Sequence, residues 1–374
     1  MLLKSLEYSE YEGTPREWVL DHFPLGQVNL LVGKNASGKT RTLNVITGLA
    51  NLLSGDRQPT LDSGKYRVQF DKDGEDLEYS LGFQHGKVVS ESFTKAGKPL
   101  MTRSKDGQGE IFAEKQGVPL AFQAPEDQLV AVARRDKIQH PFFDDLYNWG
   151  KAMRSYQFGT ELGRTRAAVS TPSAAQAVNP KDAEAVVNLF LAAKQQYEAF
   201  VDSVKGDMTS VGFPLDDICT DNISVKSNAL NEVLVLTVKE PDIPTKIAQT
   251  LLSQGMFRAL SLVIHLNYCF FSKTPSLIVV DDIGEGLDYQ RSSALIKLVM
   301  AKAKKSSIQL LMSTNDQFVM NIVPLEYWQI IQRTGGKVTV YNQRNARGVF
   351  DKFNFSGLSN FDFFTSGAFI PGDN

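Results

Sequence analysis

The sequence predicts an α/β protein built around a buried parallel sheet, and three observations lead to this fold class. A glycine-rich motif, residues 33–40, stands between a short apolar run and a helical pattern. A second apolar run, 276–280, ends in two carboxylates, and a third, 308–314, follows after one further helical pattern. Short apolar runs that alternate with helical patterns are typical of parallel strands joined by crossover helices.

The glycine-rich motif reads G-x-x-x-x-G-K-[ST] and has the flanks of a phosphate-binding loop. Residues 28–32 predict a buried strand, and the apolar period of residues 40–53 predicts a helix that stops before Gly55. A glycine loop that occurs by chance would not need a strand before it and a helix after it. The motif therefore predicts a site for a nucleoside triphosphate, with ATP as the expected ligand. Lys39 is expected to reach the β- and γ-phosphates, and the Thr40 hydroxyl to ligate Mg²⁺. The predicted nucleotide-binding residues here are Gly33, Lys34, Asn35, Ala36, Ser37, Gly38, Lys39, Thr40 and Arg41.

Length and composition limit the classes of protein. A chain of 374 residues exceeds the roughly 250–300 at which single cores stop growing, so two lobes or a core with insertions are expected. The formal net charge of −2 gives no global attraction to nucleic acid or an anionic membrane, and any such contact would be a local patch. Low cysteine usage and the lack of a long apolar run predict a cytoplasmic protein without a membrane span. The scattered histidines do not indicate a zinc site.

Between these motifs the pattern changes twice. Alternating runs with turns at Asp73-Gly74 and His85-Gly86 predict an antiparallel meander over residues 66–122. Residues 125–158 are expected to be helical, 164–180 a linker, and 181–204 a second amphipathic helix. Two strands are expected near 223–225 and 233–236. The predicted division is 1–65 (first part of the core), 66–122 (meander lobe), 123–250 (helical lobe and return strands), 251–345 (second part of the core) and 346–374 (aromatic segment).

The second apolar run delivers Asp281 and Asp282 to the edge of the predicted sheet. Asp281 is the expected second Mg²⁺ anchor, and Asp282 is expected to face the γ-phosphate and to orient or deprotonate the attacking water. The alternative is that two acids merely cap a strand.

Three further motifs carry a resemblance to a known family. Leu252-Ser253-Gln254-Gly255-Met256 resembles the LSGGQ signature of ABC-type ATPases, and residues 280–288 resemble that class's Walker B motif and D-loop. Asn315 falls where the switch histidine would stand. The meander is similar to the β-lobe of OLD-like ATPases, relatives of RecF and SMC heads found in bacterial anti-phage systems. The resemblance implies an ABC-type P-loop core with an inserted antiparallel β-meander lobe and a helical lobe.

The same resemblance implies how such a protein works. Two heads would pair head to tail, as a dimer or within a higher oligomer, with each ATP between one phosphate loop and the other subunit's signature. Ser253 and the Gly255 N–H would bind the γ-phosphate in trans, and Asp288 would cross the interface. Gln123 and Gln128 are both candidates for the coupling glutamine, and neither is assigned.

Two departures from the family pattern predict slow hydrolysis. Asp282 replaces a glutamate, and a carboxylate displaced by about 1 Å can cost ~10²-fold in rate. Asn315 replaces a histidine and cannot shuttle a proton near neutral pH.

The resulting hypothesis is a slow ATPase that assembles through its nucleotide sites and senses or regulates a separate effector. The resemblance implies that this effector acts in anti-phage defence. The alternative is an SMC/RecF-like DNA-binding ATPase, which would usually carry a long coiled coil or a basic groove. A transporter subunit and a P-loop kinase fit less well, since neither explains both the large insertion and the signature-like segment.

Three other features have ordinary interpretations. Residues 134–137 and 302–305 form basic clusters. We interpret both as solvated helical faces in preference to nucleic-acid or partner-binding patches. Arg258 is expected to pair with a local carboxylate. The phenylalanines of the C-terminal segment are expected to pack on the protein's own core, with docking of another chain as the alternative. They are Phe350, Phe353, Phe355, Phe361, Phe363, Phe364 and Phe369.

Overall fold

The computed structural model describes residues 1–59, 62–170, 179, 181–223, 232–274, 276–354 and 357–370. The chain divides into two compact units. Unit 1 comprises Met1–Met153 and Leu325–Asn374, and unit 2 comprises Arg154–Pro324.

The strands are β1 Leu2–Glu10, β2 Trp18–Pro24, β3 Val28–Val32, β4 Ser63–Lys72, β5 Glu75–Gln84, β6 Lys87–Lys95, β7 Lys98–Arg103, β8 Gln108–Ala113, β9 Val118–Gln123, β10 Arg154–Gln157, β11 Ala168–Ser170, β12 Asp217–Ile223, β13 Glu232–Lys239, β14 Ile247–Ala248, β15 Ser276–Asp281, β16 Ile308–Thr314, β17 Trp328–Thr334 and β18 Lys337–Tyr341. The helices are α1 Lys39–Leu53, α2 Val130–Ala133, α3 Phe143–Ala152, α4 Val186–Gln196, α5 Phe200–Ser210, α6 Gln254–Ser272, α7 Tyr289–Lys304, α8 Gln317–Ile322, α9 Arg347–Asn354 and α10 Asn360–Ser366.

Unit 1 is organised by one mixed sheet. Its strands follow the order β3-β17-β18-β2-β1-β4-β5-β6-β7-β8-β9. β3 and β17 are parallel, and all five residues of β3 are buried. A strand buried on both faces must be apolar throughout, which explains why the run before the glycine-rich motif lacks the alternation of the meander.

The meander, β4 to β9, is antiparallel, as the alternation predicts. Its first three turns have two residues each, and both residues take positive φ: 55° and 87° at Asp73-Gly74, 51° and 73° at His85-Gly86, and 48° and 77° at Ala96-Gly97. Paired positive φ angles define the type I′ turn, whose twist matches that of the flanking strands. The turn residues therefore fix the register of β4 to β7.

A buried ion pair ties the meander to the helices of unit 1. The Glu91 carboxylate accepts hydrogen bonds from the Val130 and Ala131 N–H groups, at 2.7 and 2.9 Å, and so caps α2. Arg103 lies 3.8 Å from this carboxylate, and both side chains are fully buried. Burial raises the pKa of Glu91, although these hydrogen bonds and Arg103 favour the charged form.

Unit 2 combines a parallel three-stranded arrangement, β10-β15-β16, with a small antiparallel sheet in the order β11-β13-β12, to which β14 adds. α6 is the central helix, with fourteen of its 19 residues buried. It packs against α4, α5 and α7. No helix of the described ranges is long and apolar enough to cross a membrane.

Two of the predicted helical stretches differ from the structure. The stretch 125–158 ends in a strand, because residues 154–157 pair in parallel with β15. The stretch 181–204 is broken at Tyr197, whose backbone is extended (φ −130°, ψ 109°) and whose ring stacks on Phe271 at 5.6 Å. Strand pairing and side-chain packing with distant residues determine both differences. The apolar periodicity of a short segment does not contain such long-range contacts.

Other predicted segments extend beyond the described residues. Of the predicted linker 164–180, residues 168–170 form β11, whereas 171–178 and 180 lie outside the described residues. Of the strand expected near 223–225, Ile223 ends β12 and the other two residues lie outside them. The strand expected at 233–236 lies within β13.

Burial of His265 should make the free energy of unfolding depend on pH. It is 1% exposed, its Nδ1 donates to the Ser261 carbonyl at 2.8 Å, and burial lowers its pKa to about 4. The unfolded chain binds the proton near pH 6.5 and the folded chain does not, so the free energy of unfolding should fall by about 3 kcal/mol between pH 6.5 and 4. In His265→Gln this part of the slope should vanish in denaturant titrations, whereas the exposed His22→Gln should retain it. Parallel profiles for parent and His265→Gln would contradict the assignment.

Candidate nucleotide-binding site

The glycine-rich motif forms a tight loop between β3 and α1. Ala36 and Gly38 take left-handed backbone conformations, with φ of 63° and 103°. A Cβ at Gly33 would lie 2.4 Å from the Ser37 hydroxyl and 2.9 Å from Ile331, so only glycine fits there. Alternation of left- and right-handed residues turns successive N–H groups toward one point and creates a concavity for anions. Among the described residues no side chain caps the N-terminus of α1.

Lys39 lies across this loop. Its ammonium group donates to the carbonyl oxygens of Gly33, at 2.8 Å, and Lys34, at 3.4 Å, and the residue is 7% exposed. The two carbonyls hold the ammonium group in place beside the concavity. The loop is thus suited to an anion such as a phosphate.

Thr40 and Arg41 follow Lys39 in the first turn of α1, and both residues are exposed. Arg41 forms an ion pair with Glu10, and its guanidinium lies 4.5 Å from the centre of the Trp18 ring. Arg41 therefore links α1 to β1 and β2 and is turned toward protein side chains.

In unit 2, Asp281 ends β15 and Asp282 follows it with φ of 54°. One hydroxyl organises both residues. Ser313, on the adjacent strand β16, donates a short hydrogen bond to the Asp281 carboxylate and accepts one from the Asp282 N–H at 2.9 Å. The left-handed conformation at Asp282 turns the chain out of the strand directly after Asp281.

Asn315 follows the carboxyl end of β16 and is exposed. The next residue, Asp316, caps α8 by accepting hydrogen bonds from the Phe318 and Val319 N–H groups, at 2.6 and 3.0 Å. Because β15 and β16 are parallel neighbours, Asp281, Asp282 and Asn315 lie at the same edge of their sheet.

The signature-like segment meets the D-loop within unit 2. Ser253 caps α6, and its hydroxyl accepts the Met256 N–H at 3.2 Å. A Cβ at Gly255 would lie 2.4 Å from the Gly286 carbonyl, so this glycine permits the backbones to touch. Gly284 and Gly286 have φ of 93° and 81°, a shape of the D-loop that favours glycine.

The expectation for Arg258 is wrong. The residue is 5% exposed, and its guanidinium donates to three backbone carbonyls: Gly159 at 3.0 Å, Thr160 at 2.9 Å and Glu285 at 3.1 Å. These carbonyls occupy the positions that a carboxylate would take. Arg258 therefore joins the signature helix to the D-loop and to the loop after β10, a role that becomes visible only when distant segments are brought together.

Asp288 is exposed and serves its own chain in this structure. Its carboxylate caps α7 by accepting the Arg291 N–H at 3.0 Å, and it pairs with the Arg291 guanidinium at 2.9 Å. The backbone N–H of Arg291, followed by the arginine charge, holds the pKa of Asp288 below its usual range.

The remaining candidates are placed but not assigned. Gln123 ends β9, and Gln128 is held through its carbonyl by Arg103 at 2.7 Å. Both glutamines are exposed, and neither is assigned as the coupling residue.

The first basic cluster, 134–137, lies beside aromatic rings. Its Arg135 guanidinium lies 3.7 Å from the Tyr147 ring centre and pairs with the Asp144 carboxylate. This cluster does have aromatic neighbours, which its local sequence did not reveal.

Comparison with solved structures identifies the fold. The SmcHead bound to the C-winged helix domain of ScpA matches with a TM-score of 0.56 at 12% identity, covering 93% of this chain and 100% of that one. The Smc head domain with an extended coiled coil bound to the C-terminal domain of ScpA, derived from Pyrococcus furiosus, matches with a TM-score of 0.52 at 11% identity, covering 94% and 99%. At these identities the likeness shows the fold alone.

Comparison with curated proteins adds a partial match. The chain is 31% identical over 145 residues to the DNA replication and repair protein RecF of Staphylococcus carnosus (strain TM300). This match covers 38% of the chain and only 37% of that RecF protein. No family model matches the sequence. The predicted fold class is confirmed: the chain has the α/β architecture of SMC-type heads, an ABC-ATPase fold.

Proposed function

We propose that this chain is an ATPase of the ABC type whose heads assemble through their nucleotide sites. The observation that carries the proposal is the loop of unit 1, with left-handed Ala36 and Gly38 and the buried ammonium of Lys39. A concavity of N–H groups beside a buried cation fits the phosphates of a nucleotide. The RecF match and the shared SMC-head fold support ATP as that nucleotide.

The proposed roles follow the sequence motifs. Lys39 binds the β- and γ-phosphates, Thr40 and Asp281 hold Mg²⁺, and Asp282 orients or deprotonates the attacking water. Asn315 hydrogen-bonds the γ-phosphate. The described residues contain no cluster of three metal-ligating side chains, and Mg²⁺ on a nucleotide is ordinarily held by few protein ligands together with phosphates and water. Slow turnover, inferred from Asp282 and Asn315, remains part of the proposal.

Two substitutions should separate binding from hydrolysis. Lys39→Ala removes the cation beside the phosphates and should weaken ATP binding ~100-fold or more in calorimetry. Asp282→Ala should bind ATP nearly as the parent does and lose phosphate release. Lys137→Ala, which removes an exposed lysine elsewhere in unit 1, is the matched control. Unchanged ATP affinity in Lys39→Ala would refute the nucleotide site.

Assembly depends on the signature in this proposal. Ser253 is exposed at the start of α6, and with Gly255 it would bind the γ-phosphate of a neighbouring subunit. Ser253→Arg should leave ATP binding by the isolated chain within about twofold and abolish the ATP-dependent rise in mass seen by light scattering. Ser253→Thr keeps the capping hydroxyl and is the control. The trans role fails if Ser253→Arg gains mass with ATP as the parent does.

Two downstream roles were left open by the sequence, and the comparisons favour one of them. The partial match to a protein named for DNA replication and repair supports a role on DNA over control of a defence effector. The SMC heads named above were solved bound to another protein, which supports a protein partner in addition. We therefore place DNA binding by the ATP-bound assembly first.

The DNA role is tested in the hydrolysis-deficient background. Asp282→Ala with ATP should retard duplex DNA in a mobility shift at about tenfold lower protein concentration than without ATP, and the shift should weaken steeply with salt. Lys39→Ala should show no ATP effect. Absence of an ATP-dependent shift, combined with a protein that co-purifies only with the ATP-bound form, would favour the effector role instead.

A further inference from the structure

The C-terminal segment, defined here as residues 357–370, lies against the phosphate loop within unit 1. A cavity of about 600 Å³ lies between the segment and the loop. Its walls come from the phosphate loop, from the end of β17 and from the C-terminal segment. They include Lys34, Ser37, Ile331, Arg333, Phe364 and Ile370.

The position of the cavity is one where ligands bind. β3 and β17 are parallel, with Leu30 opposite Trp328 and Val32 opposite Ile330, so the loop and the end of β17 stand at the same edge of the sheet. Ligands of open α/β sheets bind at the carboxyl ends of parallel strands. The cavity therefore adjoins the phosphate concavity on its β17 side.

The buried hydroxyl group of Ser37 indicates a ligand site. The residue is 7% exposed, it lines the cavity, and its hydroxyl has no hydrogen-bond partner among the described residues. Buried hydroxyl groups are ordinarily paired, because leaving one unpaired is costly. A ligand in the cavity would supply this partner once the hydroxyl rotates from its buried position to the cavity wall.

The opposite wall is aromatic and rigid. Phe364 is half-buried and stacks on Phe369 with ring centres 6.2 Å apart and an interplanar angle of 9°. Phe369 is itself buried and packs on Tyr341 at 5.5 Å. The Ser359–Asp362 capping box and the left-handed Gly367 fix both ends of α10. Phe364 is therefore a supported ring that faces the cavity with its position already set.

The cavity combines this ring with two cations, Lys34 and Arg333, and with hydroxyl groups of Ser37, Thr365 and Ser366. An aromatic wall suits a flat heterocycle, cations suit phosphate charge, and hydroxyls suit a ribose. We propose that the cavity receives the nucleoside part of the triphosphate held at the phosphate loop, with the base stacked on Phe364. This inference rests on the proposed ATP binding and makes the C-terminal segment part of the nucleotide site.

The test compares two probes on the full chain: Mg²⁺-ATP and Mg²⁺-tripolyphosphate, which has the phosphates but no nucleoside. Phe364→Ala should weaken ATP binding about tenfold in calorimetry and leave tripolyphosphate affinity within twofold of the parent. Phe361→Ala, on the same helix but outside the cavity lining, should leave both affinities unchanged. Phe364→Trp should restore ATP affinity, and its added indole fluorescence should be quenched by ATP but not by tripolyphosphate.

The outcomes distinguish this inference from the function beneath it. If the parent binds ATP and Phe364→Ala binds it equally well, the nucleoside pocket is refuted and the ATPase proposal stands. The same holds if both probes weaken together, because the effect would then act on the phosphate loop. If the parent binds neither probe, the proposed function fails and the inference fails with it. Unaltered indole fluorescence in Phe364→Trp on addition of ATP also overturns the stacking.

Discussion

Complete burial of the core strands determines where chemistry can occur in this protein. β3 in unit 1 and β16 in unit 2 are buried along their whole length, and β15 is buried up to its last residue. A polar side chain inside such a strand must find a partner in the core. Ser313 does so by hydrogen bonding to Asp281 and to the Asp282 backbone. The other polar groups of interest therefore come from the loops that follow the strands.

The same constraint accounts for the charges near these loops. Lys39 and Arg258 are both nearly buried, and both donate to backbone carbonyls. Carbonyl oxygens satisfy the N–H donors of both side chains inside the protein, where an unsatisfied donor would be costly. In unit 1 this arrangement holds the Lys39 ammonium group beside the phosphate loop. In unit 2 it joins the signature helix to the D-loop, in addition to the direct backbone contact between Gly255 and Gly286.

Features of the fold and of the candidate site could be predicted where a short segment of sequence encodes them. The phosphate loop, the meander turns and the strand before Asp281 are encoded in short segments, by glycine positions, paired turn residues and apolar runs. The strand at 154–157 depends on pairing with β15, and the break at Tyr197 depends on packing against Phe271. The cavity beside Ser37 depends on residues more than three hundred positions apart in the chain. No local pattern contains such information.

Asp288 illustrates how the proposed assembly could be tuned by contacts within one chain. Its carboxylate already caps α7 and pairs with Arg291, whose guanidinium lies 4.4 Å from the Phe213 ring centre. For Asp288 to contact a neighbouring phosphate loop, it would have to share or exchange these partners. Exposed ion pairs contribute little to stability, so exchanging the arginine is easy, whereas losing the cap leaves a helix N–H group without its side-chain acceptor. An interface that retains the cap and replaces only the arginine would therefore form more readily than one that breaks both contacts.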